Sequence, residues 1–193
     1  MKHLIVYCHP NPASFNHAIL EKVKETFENG KNEVRIRDLY QLDLDPVLKG
    51  KDLMLMKEGK VEKDVEEEQK NIVWADTITF IYPIWWTGLP ARLKGYIERV
   101  FTPGFAYAYT EKGPEGLLKS KKVLILNTTG SPRERYEAMG MFKSFYNTMD
   151  TGIFEFCGMK VIGHEFFSAV PFVSQDHRAD MLDEVEQIAE RIA

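Results

Sequence analysis

The sequence predicts an α/β fold, a five-stranded parallel sheet in the order 2-1-3-4-5 with helices on both faces. Short apolar runs of strand length alternate with stretches of helical periodicity, the pattern left by strands buried on both sides. Right-handed crossovers of that pattern give a doubly wound sheet, whose ligands bind beyond the carboxyl ends of the strands beside the switch point. The loops after the first, third and fourth strands are also each unusual for a plain connection.

The strands fall at residues 4–7, 33–38, 77–82, 122–127 and 160–167. A helix over 16–29 places Ile19, Leu20, Val23 and Phe27 on one face, and Gly30 stops it. Pro90 suits the first turn of a second helix whose stripe is Leu93, Ile97, Val100 and Phe101. A third covers 139–156, and the last, 176–191, follows a Ser174 cap. The charge-dense stretch 57–71, with Glu66, Glu67 and Glu68, reads as a solvated helix.

With 193 residues, 44% hydrophobic and 28% charged, the chain suits one domain over 1–193 and needs no metal or disulfide staple. The net charge of −4 argues against nucleic acid as a partner, because counterion displacement needs clustered Lys and Arg. Cys8 and Cys157 lack CxxC or Cys/His spacing and are expected as free thiols. The longest apolar run, 78–86, contains Pro83 and is half a membrane span, so no membrane insertion and a cytoplasmic location are expected.

The first loop, residues 8–16, leads into a helix whose free N–H groups and dipole favour a phosphate, with Ser14, Asn16 and His9 as polar neighbours. Simple helix capping by Ser14 or Asn16 is the competing reading. The chain has neither GxGxxG nor GxxxxGK[ST], so it supports neither a Rossmann fingerprint nor a P-loop. In the second loop, Trp85 and Trp86 supply an apolar wall and indole donors for a planar heteroaromatic guest, one ring being expected to cap the core. The amides of residues 83–87 face the guest's polar edge, as a flavin would use them. The third loop, from Thr128 and Thr129 through Gly130 to Ser131, lets the backbone approach a ligand closely. The aromatic strip 105–109 reads as a pocket lining or a dimer contact, and Tyr136 as a phenol donor. His3, His17, His164 and His177 show no metal spacing, so the chemistry is expected from a bound cofactor.

These residues resemble the NAD(P)H:quinone oxidoreductase family of flavodoxin-like flavoproteins. The likeness runs along nearly the whole chain, through His9 with Ser14-Phe15-Asn16, Lys57-Glu58-Gly59, Glu68-Gln69-Lys70, Pro83-Ile84-Trp85-Trp86, Leu93-Lys94-Gly95, Glu98-Arg99-Val100-Phe101, Phe105 to Tyr109, Ser120-Lys121-Lys122, Thr128-Thr129-Gly130 and Phe156-Cys157-Gly158. The resemblance implies that His9, Ser14, Phe15 and Asn16 hold the flavin phosphate region. Pro83, Ile84, Trp85, Trp86 and Thr87 would contact the ring and ribityl chain, and Thr128, Thr129, Gly130 and Ser131 its other polar edge. Tyr107, Tyr109 and Tyr136 match pocket tyrosines, the first two reaching the partner's site in a homodimer. Tyr136 and Trp86 are the side chains expected nearest the chemistry.

Two departures stand out. The histidine that family members pair with the tyrosine falls on Phe142, and the stretch between Asp45 and Lys57 is shorter than in those members. Arg178 matches an arginine near the adenine of FAD, which leaves the flavin as FAD or FMN. The implied reaction is hydride transfer from NADPH or NADH through flavin N5 to a quinone-like acceptor, by ping-pong exchange in one pocket. The alternatives are an electron carrier, or an ancillary subunit of a potassium-efflux transporter.

Overall fold

The computed structural model describes residues 1–193. Its strands are β1 (Lys2–Tyr7), β2 (Glu33–Asp38), β3 (Thr77–Pro83), β4 (Tyr107–Thr110), β5 (Gly113–Gly116), β6 (Lys122–Thr128) and β7 (Lys160–Phe167). Five of them form one sheet, β2-β1-β3-β6-β7, with every pairing parallel. Leaving out the inserted hairpin β4-β5, this is the expected 2-1-3-4-5 order.

The buried runs alternate between two layers, as a period of two requires. Ile5, Tyr7, Ile81, Leu124 and Leu126 face α1 (Phe15–Asn29) and α7 (Gln175–Glu190), meeting Ile19, Val23 and Phe27 of the first and Val185 and Ile188 of the second. Leu4, Val6, Phe80, Tyr82, Val123 and Ile125 face the other layer. That layer draws on α3 (Lys63–Trp74), α4 (Ala91–Val100), α6 (Met141–Phe145) and a π-helical segment, Tyr146–Glu155. Ser14 and Ser174 cap α1 and α7 by accepting the amides of His17 and His177 at 3.2 and 3.1 Å.

Three expectations need correction. The helix expected over 57–71 starts only at Lys63, as α3; before it Gly59, at a φ of 69°, follows the end of a separate helix, α2 (Gly50–Lys57). Its charge is only partly solvated: Glu68 is buried, paired with Arg37 and accepting the Tyr96 hydroxyl at 3.3 Å. The helix expected over 139–156 starts after Gly140, at φ 66°, and widens into the π-helical segment, where Phe156 N–H reaches the Thr151 carbonyl. Apart from these corrections, residues 107–109 of the aromatic strip lie in β4 of the hairpin.

Arg99 fastens α4 to α2 and α3. Its guanidinium reaches Asp52 Oδ1 at 2.9 Å, Asp64 Oδ2 at 2.6 Å and the Asp45 carbonyl at 2.8 Å. Burial pushes the Asp52 carboxyl up, but the Lys49 amide and the guanidinium outweigh it and hold it below the usual range. Cys8 and Cys157 are buried free thiols, and burial raises them to about 12 and about 11.

His3 of β1 is fully buried, stacked on Phe27 at 3.9 Å, with no partner for either ring nitrogen. Burial, helped by the N-terminal ammonium, lowers its pKa to about 4. The unfolded chain then binds a proton that the folded chain refuses. Stability is therefore full above the unfolded value near 6.5 and falls as pH drops toward 4, by up to about 3 kcal/mol. Urea midpoints should fall less for His3→Leu than for the parent between neutral pH and pH 5; equal losses would contradict this origin.

Candidate functional site

β1, β3 and β6 end on the same edge of the sheet, and their three outgoing loops enclose a cavity of about 400 Å³. The first loop is held by local turns: Asn11 N–H donates to His9 Nδ1 at 3.1 Å and Ala13 N–H to Asn11 Oδ1 at 2.9 Å. With Nδ1 accepting, the neutral His9 ring carries its hydrogen on Nε2, as a donor. Burial lowers its pKa, which favours that neutral form. Ser14 Oγ caps α1 and lies 3.4 Å from the Tyr7 hydroxyl.

Asn16 joins the first and third loops, donating Nδ2 to Thr128 Oγ1 at 2.8 Å. Its Oδ1 is buried without a partner, a state that loses the energy of a hydrogen bond to water unless a ligand donates to it. Thr128 also accepts the Ile84 amide at 2.8 Å on its carbonyl, which locks the second loop to the third. Thr129 donates to the Ser131 carbonyl at 2.9 Å and shapes the turn at Gly130. A Cβ built on Gly130 meets nothing within 4 Å, so internal packing does not demand a glycine there.

Trp85 and Gly88 exchange two 3.1 Å backbone hydrogen bonds across Trp86 and Thr87, whose φ angles are 51° and 58°. Two left-handed residues, neither of them glycine, store strain in this two-residue turn. Neither indole caps the core as expected: Trp85 packs 5.5 Å from the His9 ring and Trp86 is 98% exposed. The turn lifts both rings to the cavity mouth.

The cavity wall includes His9, Ser14, Phe15, Asn16, Pro83, Ile84, Trp85, Trp86, Thr128, Thr129, Gly130, Ser131 and Tyr136. Thr87 and Arg178 stand outside it. Thr87 is exposed and hydrogen-bonded to the Trp86 carbonyl at 2.7 Å. Arg178 spends Nε and Nη2 on the Val170 carbonyl at 3.2 and 3.0 Å, buttressing the loop after β7. That loop adds Val170 and Pro171 to the wall, two residues outside the three expected loops that the strand-end rule, extended to β7, places there. Tyr107 and Tyr109 do not join the cavity of their own chain; they sit on β4, their rings 5.7 Å apart, with Tyr109 76% exposed. Phe142, expected from the resemblance at the place of a family histidine, has its ring 6.0 Å from the Tyr136 ring and offers it no hydrogen bond.

A doubly wound parallel sheet with a cavity at its strand ends defines a flavodoxin-like fold. Residues 1–192 match the flavodoxin-like fold family. The chain is 38% identical to a Haemophilus influenzae protein named an uncharacterized NAD(P)H oxidoreductase, over 95% of this chain and 91% of that one. It is 30% identical to the human ribosyldihydronicotinamide dehydrogenase [quinone], over 94% and 87%. The NAD(P)H:quinone oxidoreductase of Methanothermobacter marburgensis superposes with a TM-score of 0.90 at 26% identity, over 100% and 96%. The chain belongs to the flavodoxin-like family of NAD(P)H:quinone oxidoreductases. No helix is long and apolar enough to cross a membrane.

Proposed function

We propose that the chain is a flavin-dependent NAD(P)H dehydrogenase that reduces a quinone-like acceptor, both substrates using one pocket in turn. The observation that carries this reading is the buried, unpartnered Asn16 Oδ1 in a cavity lined by hydroxyl-bearing side chains and aromatic rings. A flavin supplies the hydride chemistry, taking hydride from NAD(P)H and giving it to the acceptor. The residues fit such a group. The α1 N-terminus and the His9 Nε2 donor suit its phosphate, and Asn16 Oδ1 suits a ribityl hydroxyl. The amides of Trp86, Gly130 and Ser131, which no backbone carbonyl takes up, suit the polar edges of the ring, and Trp85 and Trp86 shelter its faces from water. Tyr136 presents a phenol to the site without a histidine behind it, so any proton it moves is its own.

Tyr107 and Tyr109 complete this reading in a homodimer, where the β4-β5 hairpin of one chain walls the cavity of the other. The exposure of Trp86 and Tyr109 supports it, since each leaves a large ring without cover in one chain. Sedimentation should give a particle of twice 22.3 kDa.

The purified protein should be yellow, and the mass of the released flavin decides between FAD and FMN. Initial rates with NADPH or NADH against a soluble naphthoquinone should give parallel double-reciprocal lines. Intersecting lines overturn the shared pocket, and a protein that binds neither flavin overturns the reading as a whole.

A further inference from the structure

One layer beneath the cavity, three polar side chains far apart in sequence meet in the core. Asn127, fully buried near the end of β6, donates Nδ2 to the Tyr82 carbonyl at 3.1 Å. This orients the amide, so Asn127 Oδ1 is the atom that His164 Nε2 of β7 meets at 2.7 Å. The other ring nitrogen, Nδ1, lies 2.6 Å from Asp150 Oδ1. Asp150 belongs to the π-helical segment, a rare winding that recurs at functional sites. Both nitrogens of His164 thus face oxygens, and an amide oxygen and a carboxylate only accept.

We infer that the His164–Asp150 pair holds a proton at neutral pH, and that His164 is a positioning residue which, through Asn127, clamps together the ends of β3 and β6 from which the flavin-facing loops depart. One proton lies between Nδ1 and Oδ1 and a second sits on Nε2. If the shared proton leaves, one of the two hydrogen bonds must break, because a bare ring nitrogen then opposes an acceptor. The strand ends feel this directly. Tyr82 is followed by Pro83, and Asn127 by Thr128, whose hydroxyl takes Asn16 Nδ2 and whose carbonyl takes the Ile84 amide. The loss of one buried proton therefore loosens the clamp under both amide-bearing loops.

The surroundings isolate the pair. The Phe166 ring stacks on His164 at 4.2 Å, and the Tyr146 ring meets it edge-on at 5.4 Å. From β3, the Tyr82 hydroxyl donates to Met149 Sδ at 3.2 Å, and burial pushes its ionisation far up. Glu165 beside His164 and Arg133 of α5 (Arg133–Ala138) act on Tyr146 in opposite directions. Asp150 is the only carboxylate hydrogen-bonded to the ring.

The proton follows from hydrogen-bond geometry alone, whereas its consequence for binding rests on the flavin reading above. Nitrogen-15 spectra of the flavin-loaded protein should show both His164 ring nitrogens protonated at neutral pH, the resonances being assigned by their loss in His164→Gln. A bare ring nitrogen at pH 7 overturns the proposal. The dissociation constants of FMN and FAD, followed by flavin fluorescence, should rise about tenfold at the pH where the nitrogen-15 spectra show the shared proton lost. Asp150→Asn donates to a neutral imidazole and keeps the clamp without the proton, so its profile should be flat. His164→Gln keeps a donor toward Asn127 and should bind more tightly than His164→Leu. An Asp150→Asn profile that follows the parent's sinks the clamp even if the Leu variant fails to fold. A protein that binds neither flavin, with both nitrogens still protonated, instead removes the flavin reading and leaves the proton in place.

Discussion

Replacing Gly130 with valine should leave the fold intact and weaken flavin binding by about a hundredfold. The backbone there needs no left-handed φ, and an added Cβ meets nothing of the protein within 4 Å. The new methyl groups instead enter the cavity wall between Thr129 and Ser131, where a ligand approaching the amides would meet them. Thermal midpoints of the flavin-free parent and variant should agree within about a degree. The flavin dissociation constant, read by fluorescence, is the discriminating measurement. Unchanged affinity would mean that the third loop does not touch the ligand. A falling midpoint would mean that Gly130 serves the fold.

Replacing Arg99 with alanine should cost about 3–5 kcal/mol, the range expected when a buried ion pair loses one partner and leaves the other uncompensated. Asp52 and Arg99 are each only 6% exposed in their side chains, whereas Asp64 at 29% can turn to water. The sign of the pH dependence follows from Asp52. In the parent its lowered pKa adds stability above the unfolded value near 3.8, and that stability is lost as pH falls through the folded value. In the variant the same carboxyl is buried beside no cation, and its ionised form is destabilising. The deficit should therefore be widest near pH 7 and narrow toward pH 4, as read from urea unfolding at both. A double variant, Asp52→Asn with Arg99→Met, should recover most of it, because an apolar and neutral pair replaces the ions.

The parts legible in the sequence were those in which one local pattern decides the outcome. The all-buried run of β3 reads as a sandwiched strand because an uninterrupted apolar stretch ending at Pro83 has few other places to lie. Ser14 and Ser174 read as caps because the cap chemistry is local. Glu68 was misread for the opposite reason. Three adjacent glutamates look solvated, and only the crossing of Arg37 from β2 turns one of them inward. The pairing of β4 with β5 depends on a turn at residues 111–112, which a period-two aromatic strip does not announce.

Within the site, topology places the three loops, while details of the walls depend on the third dimension. The strain at Trp86 and Thr87 is invisible in a Trp-Trp-Thr-Gly string, although it is what raises both indoles from the core. Arg178 is expected near an adenine by its match to the family; in the fold its Nε and Nη2 hold the Val170 carbonyl, a contact no sequence pattern announces. Asn127, Asp150 and His164 are separated by 14 to 37 residues, and no spacing rule joins them.

The two enclosed sulfurs bear on how such a molecule outlasts its own turnover. Cys8 immediately precedes His9 of the cavity wall, yet is itself fully buried. A thiol that stays un-ionised and shut away from solvent attacks peroxide poorly, since the thiolate is the reactive form. Close packing around the first strand thus keeps this sulfur in its protonated, less nucleophilic form.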